Sequence, residues 1–274
     1  MSSLTISVTN QIVEPLKEIL CKEFNAVNWR SEGLYTCLDL PGESGFRFKS
    51  KVMNILARLI FNQLSYLWLK KILQLNYGYF DREEHQEILV YACKLLTSCP
   101  RSLYHSVYRA LADHLITNNQ INLEGFVRFR TKDYWHFLCK TVDSAVDAYL
   151  IHREYQEFIK LLRYFVELQE PKVEMVNVII GNSDRFKILD QDCNLIEMDY
   201  LEGIILEIGH NELDFEDLLI SALISIAPAK IILHICQASS RAGQTILSIF
   251  GKNRVLFCDD CVICRNFCKW KKGK

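Results

Sequence analysis

No stretch of this chain stays apolar long enough to cross a bilayer. The two longest uncharged apolar stretches are Leu59–Leu69, closed by Arg58 and Lys70, and Leu218–Ala229, closed by Asp217 and Lys230. Both fall well short of the roughly 18 residues that mark a span. The start, MSSLTISVTNQIVEPLKEIL, lacks the basic segment, apolar core and small-residue cleavage site of an export signal. An excess of one charge is missing too: 32 Lys and Arg stand against 33 Asp and Glu, a formal net charge of −1, so nothing marks a globally basic nucleic-acid binder. There is no internal repeat, no low-complexity segment, and no Gly-Lys-Ser/Thr of a phosphate-cradling loop. These absences make a cytosolic chain without a membrane span the expectation.

Cysteine, by contrast, is abundant: the chain has 11, an odd number. Without an export signal they read as reduced thiols or metal ligands rather than a disulfide framework. Cys21, Cys37, Cys93, Cys99, Cys139, Cys193 and Cys236 are scattered, and a scattered Cys is usually a small buried hydrophobe. The other four cluster near the end of the sequence.

Half of the 274 residues are apolar, enough for one large domain or two small ones. Leu4–Val8 reads as a strand, Ile12–Phe24 as a helix and Leu34–Leu40 as a strand ending at Pro41-Gly42, giving a small α/β lobe over residues 1–50. From 51 to 171 helices dominate. Val52, Ile55, Leu56, Leu59, Ile60, Leu64, Leu67 and Ile72 form one apolar stripe, and Asp81 with Glu84 has the spacing of a capping box. Lys132–Gln169 holds no Pro or Gly; fully helical it would be about 55 Å long at ~1.5 Å per residue, so a kink or break near His152 is expected. Its apolar positions, Leu138, Val142, Ala145, Tyr149, Phe158, Leu161, Leu162 and Phe165, suit packing along a core rather than a coiled-coil dimer.

After Pro171 the period changes. Val173–Ile180, Phe186–Leu189 and Leu195–Met198 read as an antiparallel meander, and Tyr200–Ile208 as a helix capped by Asp199. Then come a helix (Phe215–Ala227), Pro228, a strand (Lys230–Cys236), a helix (Ala242–Phe250) and a strand (Asn253–Phe257). Pro228 separates the first two. The run Ile231-Ile232-Leu233 suits a parallel strand covered on both faces, and a right-handed β-α-β unit would set the carboxyl ends of both strands, with Cys236 and Cys258, on one sheet edge. The fold class expected is α+β: a largely helical N-terminal and middle region, a C-terminal mixed sheet over 172–257, and a Cys-rich basic tail over 258–274.

AVDAYLIHREYQEFIKLLRYFVELQEPKVEMVNVII (Ala145–Ile180) and YLEGIILEIGHNELDFEDLLISALISIAPAKIILHI (Tyr200–Ile235) resemble the YtxC-like sporulation protein family of endospore-forming bacteria. The resemblance is specific in these blocks and extends from about Leu123 to the last strand; the first hundred residues share only the layout. It implies a cytoplasmic protein of a spore former, linked to sporulation, and carries no catalytic residues to this chain.

The strongest chemical signal is Cys258-x2-Cys261-x2-Cys264-x3-Cys268. Thiolates two residues apart can turn toward one metal, and the full spacing coincides with the bacterial ferredoxin run. Here Lys269 replaces the Pro that follows that run, and there is no second run. An iron–sulfur cluster would need Cys268 to fold back or a remote fourth ligand, for which Cys236 is the candidate. Zinc on Cys258, Cys261, Cys264 and Cys268 is the simpler site, and a metal-free thiol-rich tail is the third reading. Arg265, Lys269, Lys271, Lys272, Lys274 and Trp270 would suit nucleic acid but equally a solvated tail.

Ser239, Ser240, Arg241, Gly243 and Thr245 join a strand to a helix, where free N–H groups could hold an anion; a hydrogen-bonded cap is favoured. His234 reads as a satisfied core histidine rather than a ligand or base, Asp190 and Asp192 as turn residues rather than acid/base catalysts. Arg128, Arg130 and Lys132, among Phe126, Phe129 and Tyr134, read as a solvated helix start rather than a nucleic-acid surface. With no complete catalytic constellation, the sequence favours a non-enzymatic interaction or regulatory protein with a protein partner. The alternatives are a metal module contacting nucleic acid and an enzyme using the anion-binding loop.

Overall fold

A computed structural model describes residues 3–10, 12–24, 27–41, 45–181, 186–196, 215–235, 241–258, 261, 262, 264 and 265. The helix expected at Tyr200–Ile208 and the strand end at Met198 lie outside these residues. The chain divides into two compact units, Met1–His152 and Arg153–Lys274.

The first unit opens with β1 (Ser3–Thr9), α1 (Val13–Glu23), β2 (Asn28–Glu32) and β3 (Tyr35–Pro41). It continues with α2 (Phe46–Leu59), a π-helical turn (Ile60–Leu64), α3 (Ser65–Asn76), α4 (Arg82–Leu96), α5 (Arg101–Thr117), β4 (Gln120–Asn122), α6 (Leu123–Arg130) and the first part of α7 (Lys132–Leu168). The sheet order is β2-β3-β1-β4, with β1 antiparallel to β3 and parallel to β4. Period-2 alternation sends Leu4, Ile6 and Val8 with Leu38 and Leu40 to the buried face and leaves Thr5 and Ser7 on the other. These residues share one continuous core with the helical stripe Val52, Leu56, Leu59, Ile60 and Leu64. The expected lobe over 1–50 is therefore not separate from the helices, because β4 completes its sheet and its core is theirs.

The expected stripe runs through the π-helical turn with Ile60, Leu64 and Ile72 buried as expected and Leu67 only partly buried. Ser65 N–H reaches back to the Ile60 carbonyl, and its Oγ donates to Ile60 O (2.7 Å) and Phe61 O (3.0 Å) while meeting the buried Tyr134 hydroxyl at 2.6 Å. The π-turn re-aims the stripe so that Trp68, Leu69, Ile72 and Leu73 enter the core. Asp81 starts α4 with the reciprocal bonds expected of a capping box: its carboxylate accepts from the Glu83 and Glu84 amides, and Glu84 accepts from the Asp81 amide.

α7 is a single 37-residue helix with no break at His152. The boundary between the compact units falls there instead. Leu138, Val142, Ala145 and Tyr149 are in the core as expected, whereas Phe158, Leu161 and Phe165 stay about half exposed.

In the second unit the rest of α7 is followed by β5 (Val173–Ile180), β6 (Phe186–Leu189), α8 (Phe215–Ile226), β7 (Pro228–Ile235), α9 (Arg241–Phe250) and β8 (Val255–Phe257). The sheet order is β6-β5-β7-β8: β5, β7 and β8 run parallel and β6 antiparallel, a mixed sheet carrying the expected β-α-β unit. Val176, Val178, Ile180, Ile188, Ile231, Leu233 and Val255 point to the core face. The third meander strand reduces, among described residues, to one bridge from Leu195 to Leu189. α9 stops at Gly251, whose φ of 77° suits a residue without Cβ, and the turn leads directly into β8.

Candidate metal centre

β7 and β8 pair in parallel with Leu233 opposite Phe257, and the Cys258 amide donates to the Leu233 carbonyl at 2.9 Å. The ladder thus carries one residue further, bringing Cys258 beside His234 at the carboxyl edge of the sheet, where ligand sites of parallel sheets are usually built. The Arg265 amide donates to the Cys261 carbonyl (3.0 Å), and the Cys264 amide donates to Cys261 Sγ (3.4 Å), turning that sulfur inward. Cys258, Cys261, Cys264 and His234 each present one ligand atom, all within 4.8 Å of one another.

The separations are those of a coordination sphere. His234 Nδ1 lies 3.3 Å from Cys264 Sγ and 3.4 Å from Cys261 Sγ, and the Cys258 and Cys264 sulfurs are 3.8 Å apart. Zn–S bonds of about 2.3 Å and a Zn–N bond of about 2.0–2.1 Å at tetrahedral angles place ligand atoms ~3.5–3.8 Å apart. A four-iron cube would hold its thiolates at separate corners, wider than sulfurs already in contact.

The ring of His234 is oriented from behind. Alternation puts His234 and Asn177 on the sheet face opposite the core of the second unit, where both are buried. Asn177 Nδ2 donates to the Asp190 carbonyl at 3.0 Å, which leaves its Oδ1 to face His234 Nε2 at 3.1 Å. An amide oxygen only accepts, so Nε2 carries the proton and Nδ1 turns a bare lone pair toward the sulfurs. Asp190 is fixed in turn: its carboxylate accepts from the Asp192 and Asn194 amides and from Asn194 Nδ2. Burial lowers the His234 pKa, raises the Cys264 thiol, and pushes the Cys258 thiol up to about 12, with Cys261 and Cys264 adding to the shift. These directions favour the uncharged forms of His234, Cys258 and Cys264 when no metal is bound.

A model of the YtxC-like family matches residues 50–255. The chain belongs to the YtxC-like family. "Uncharacterized protein YtxC" of Bacillus subtilis (strain 168) is similar to it, at 23% identity over 188 residues that cover 65% of this chain and 66% of that relative, just short of two thirds of its length. No solved structure matches. The YtxC-like match takes in Asn177 and His234 and ends at residue 255, short of Cys258.

Of the expected ligands, Cys258, Cys261 and Cys264 converge, and Cys268 and Cys236 lie outside the described residues. His234 is buried and hydrogen-bonded as a core histidine, and its other nitrogen faces the thiols. The readable signal was positional: Cys258 ends one strand of a parallel pair, so its neighbour must come from the end of the other. Asn177 gave no signal, being one polar residue in an apolar strand.

Ser239 and Ser240 of the anion loop lie outside the described residues. Arg241 Nε is 3.6 Å from a Glu216 carboxylate oxygen, and the Thr245 hydroxyl donates to the other, so a carboxylate of the chain already stands there. Gly243 is buried in the first turns of α9. Arg128 lies over the Phe129 and Trp135 rings, while Phe126 and Tyr134 belong to the core and are closed to any base.

Proposed function

We propose that the C-terminal unit is a zinc module, in which Cys258, Cys261, Cys264 and His234 hold one ion and fasten the segment after β8 to the end of β7. One observation carries this reading: four ligand atoms of a soft N/S set lie within 4.8 Å at the edge of a sheet. Four protein ligands fill a tetrahedral sphere and leave no open position for substrate, the mark of a structural rather than catalytic zinc. The chain is then a non-enzymatic interaction or regulatory protein of the cytoplasm, where reduced thiols persist, and acts through a protein partner; a role in sporulation belongs to the same proposal.

Elemental analysis with a visible absorption spectrum, on protein purified both anaerobically and in air, tests it. One zinc per chain is expected in the wild type, lost in Cys258→Ser/Cys261→Ser and in His234→Ala. Metal-free native protein in both preparations overturns the reading. A brown anaerobic protein containing iron replaces it with an iron–sulfur centre.

A further inference from the structure

The last third of α7, within the second unit, is apolar on two sides. Tyr155, Ile159, Leu162 and Val166 face that unit's core. Phe158 (52% exposed), Leu161 (51%), Phe165 (51%) and Leu168 (64%) do not, and Tyr164 (58%) borders them. Their 3-4-3 spacing confines the first four to a sector of about 80° at ~100° per residue, the a and d positions of a heptad. Arg163 and Glu167 lie on a third side, where they pair at 3.0 Å, and Glu157 borders the stripe beside Tyr164.

With roughly half of the ~150–250 Å² of each aromatic ring open, and similar fractions of the two leucines, the patch is on the order of 500 Å². Soluble monomers rarely leave more than a few hundred Å² of contiguous apolar surface open. A stable interface takes about 800 Å² from each partner, so this patch is the size of such an interface's apolar centre.

We infer that the stripe is covered by the same stripe of a second copy, in an antiparallel two-fold pair. Its own pattern is self-complementary. With the axis level with Arg163, Phe158 meets the partner's Leu168 and Leu161 meets the partner's Phe165, and the symmetry repeats both layers. Every layer then sets a ring against a leucine at even width. A parallel pair would stack ring on ring and leucine on leucine in alternate wide and narrow layers, which two straight helices fill poorly.

Sedimentation of the full chain over about two decades of concentration tests this. The wild type runs as a dimer. Phe165→Glu and, separately, Leu161→Glu weaken dimerisation by at least ~100-fold, as loss of a central apolar anchor does, with unchanged circular dichroism. Leu75→Glu, at an exposed leucine of α3, leaves the dimer intact. A photo-crosslinking phenylalanine analogue at position 158 marks the peptide containing Leu168. A wild-type monomer at every concentration, a dimer indifferent to both substitutions, or a crosslink to the partner's own position 158 overturns the pairing.

Discussion

Asn177→Ala probes the proposed zinc site without touching a proposed ligand. In the wild type, the Asn177 amide sits between the Asp190 carbonyl (3.0 Å) and His234 Nε2 (3.1 Å), and the residue is only 6% exposed. Truncation leaves the Nε2–H without its acceptor in a site closed to water, and frees the ring to tilt or to place its proton on Nδ1, where it would block coordination. Removing such a supporting acceptor costs about 10–100-fold in metal affinity, or ~1.4–2.8 kcal/mol. Competition against a chromophoric zinc chelator, under reductant and at fixed pH, reads this directly. Asn177→Asp keeps an acceptor toward Nε2 and is expected to bind zinc more tightly than Asn177→Ala, recovering much of the loss. Zinc affinity of Asn177→Ala within twofold of the wild type would refute the argument that this amide sets the histidine tautomer.

Two further outcomes follow from the geometry. Two amides and the side chain of Asn194 hold the Asp190 carboxyl below its ordinary pKa, the Asn194 amide foremost. Because the folded value is depressed, this stabilisation is complete above the ordinary carboxylate pKa of about 4 and is lost as pH falls below it. In metal-free protein, the urea midpoint of Asp190→Ala is expected to lie below the wild type's at pH 7 and to converge on it in acid; an equal gap at both pH values contradicts this. Tyr134→Phe removes the buried 2.6 Å bond to Ser65 at the π-turn and should cost about 1 kcal/mol, or ~2–4 °C in the melting temperature of the first unit. An unchanged melting curve would make that bond energetically idle.

Where burial follows a period, the sequence was legible. Leu4–Val8, Val173–Ile180 and the β-α-β unit ending at Phe257 came from alternation, continuous apolar runs and Pro228, and the Asp81–Glu84 box from its spacing. β2 escaped because all five of its residues are exposed, so no buried face marks it; it is held by its ladder to β3 and by the Arg30–Asp39 and Lys17–Trp29 contacts. β4 escaped because three residues carry no period. The π-turn depends on a hydroxyl contact across 69 positions of sequence, Ser65 to Tyr134, which no local pattern encodes. At the candidate metal centre three cysteines were visible as spacing. His234 was not, since its role comes from strand register, and neither was Asn177, whose role comes from the amide orientation that Asp190 imposes.

Among the described residues β8 is the edge strand of the second sheet, only three residues long, and it leaves Leu256 and Phe257 about half exposed. An open apolar edge invites strands of other molecules to add to it, and shortness is one of the ways natural sheets blunt that hazard. A zinc ion held as proposed by the cluster directly after β8 would supply another, by pinning the chain beyond the edge to β7. Under that proposal, chelators used during purification would remove the guard, and self-association through the edge is the damage expected.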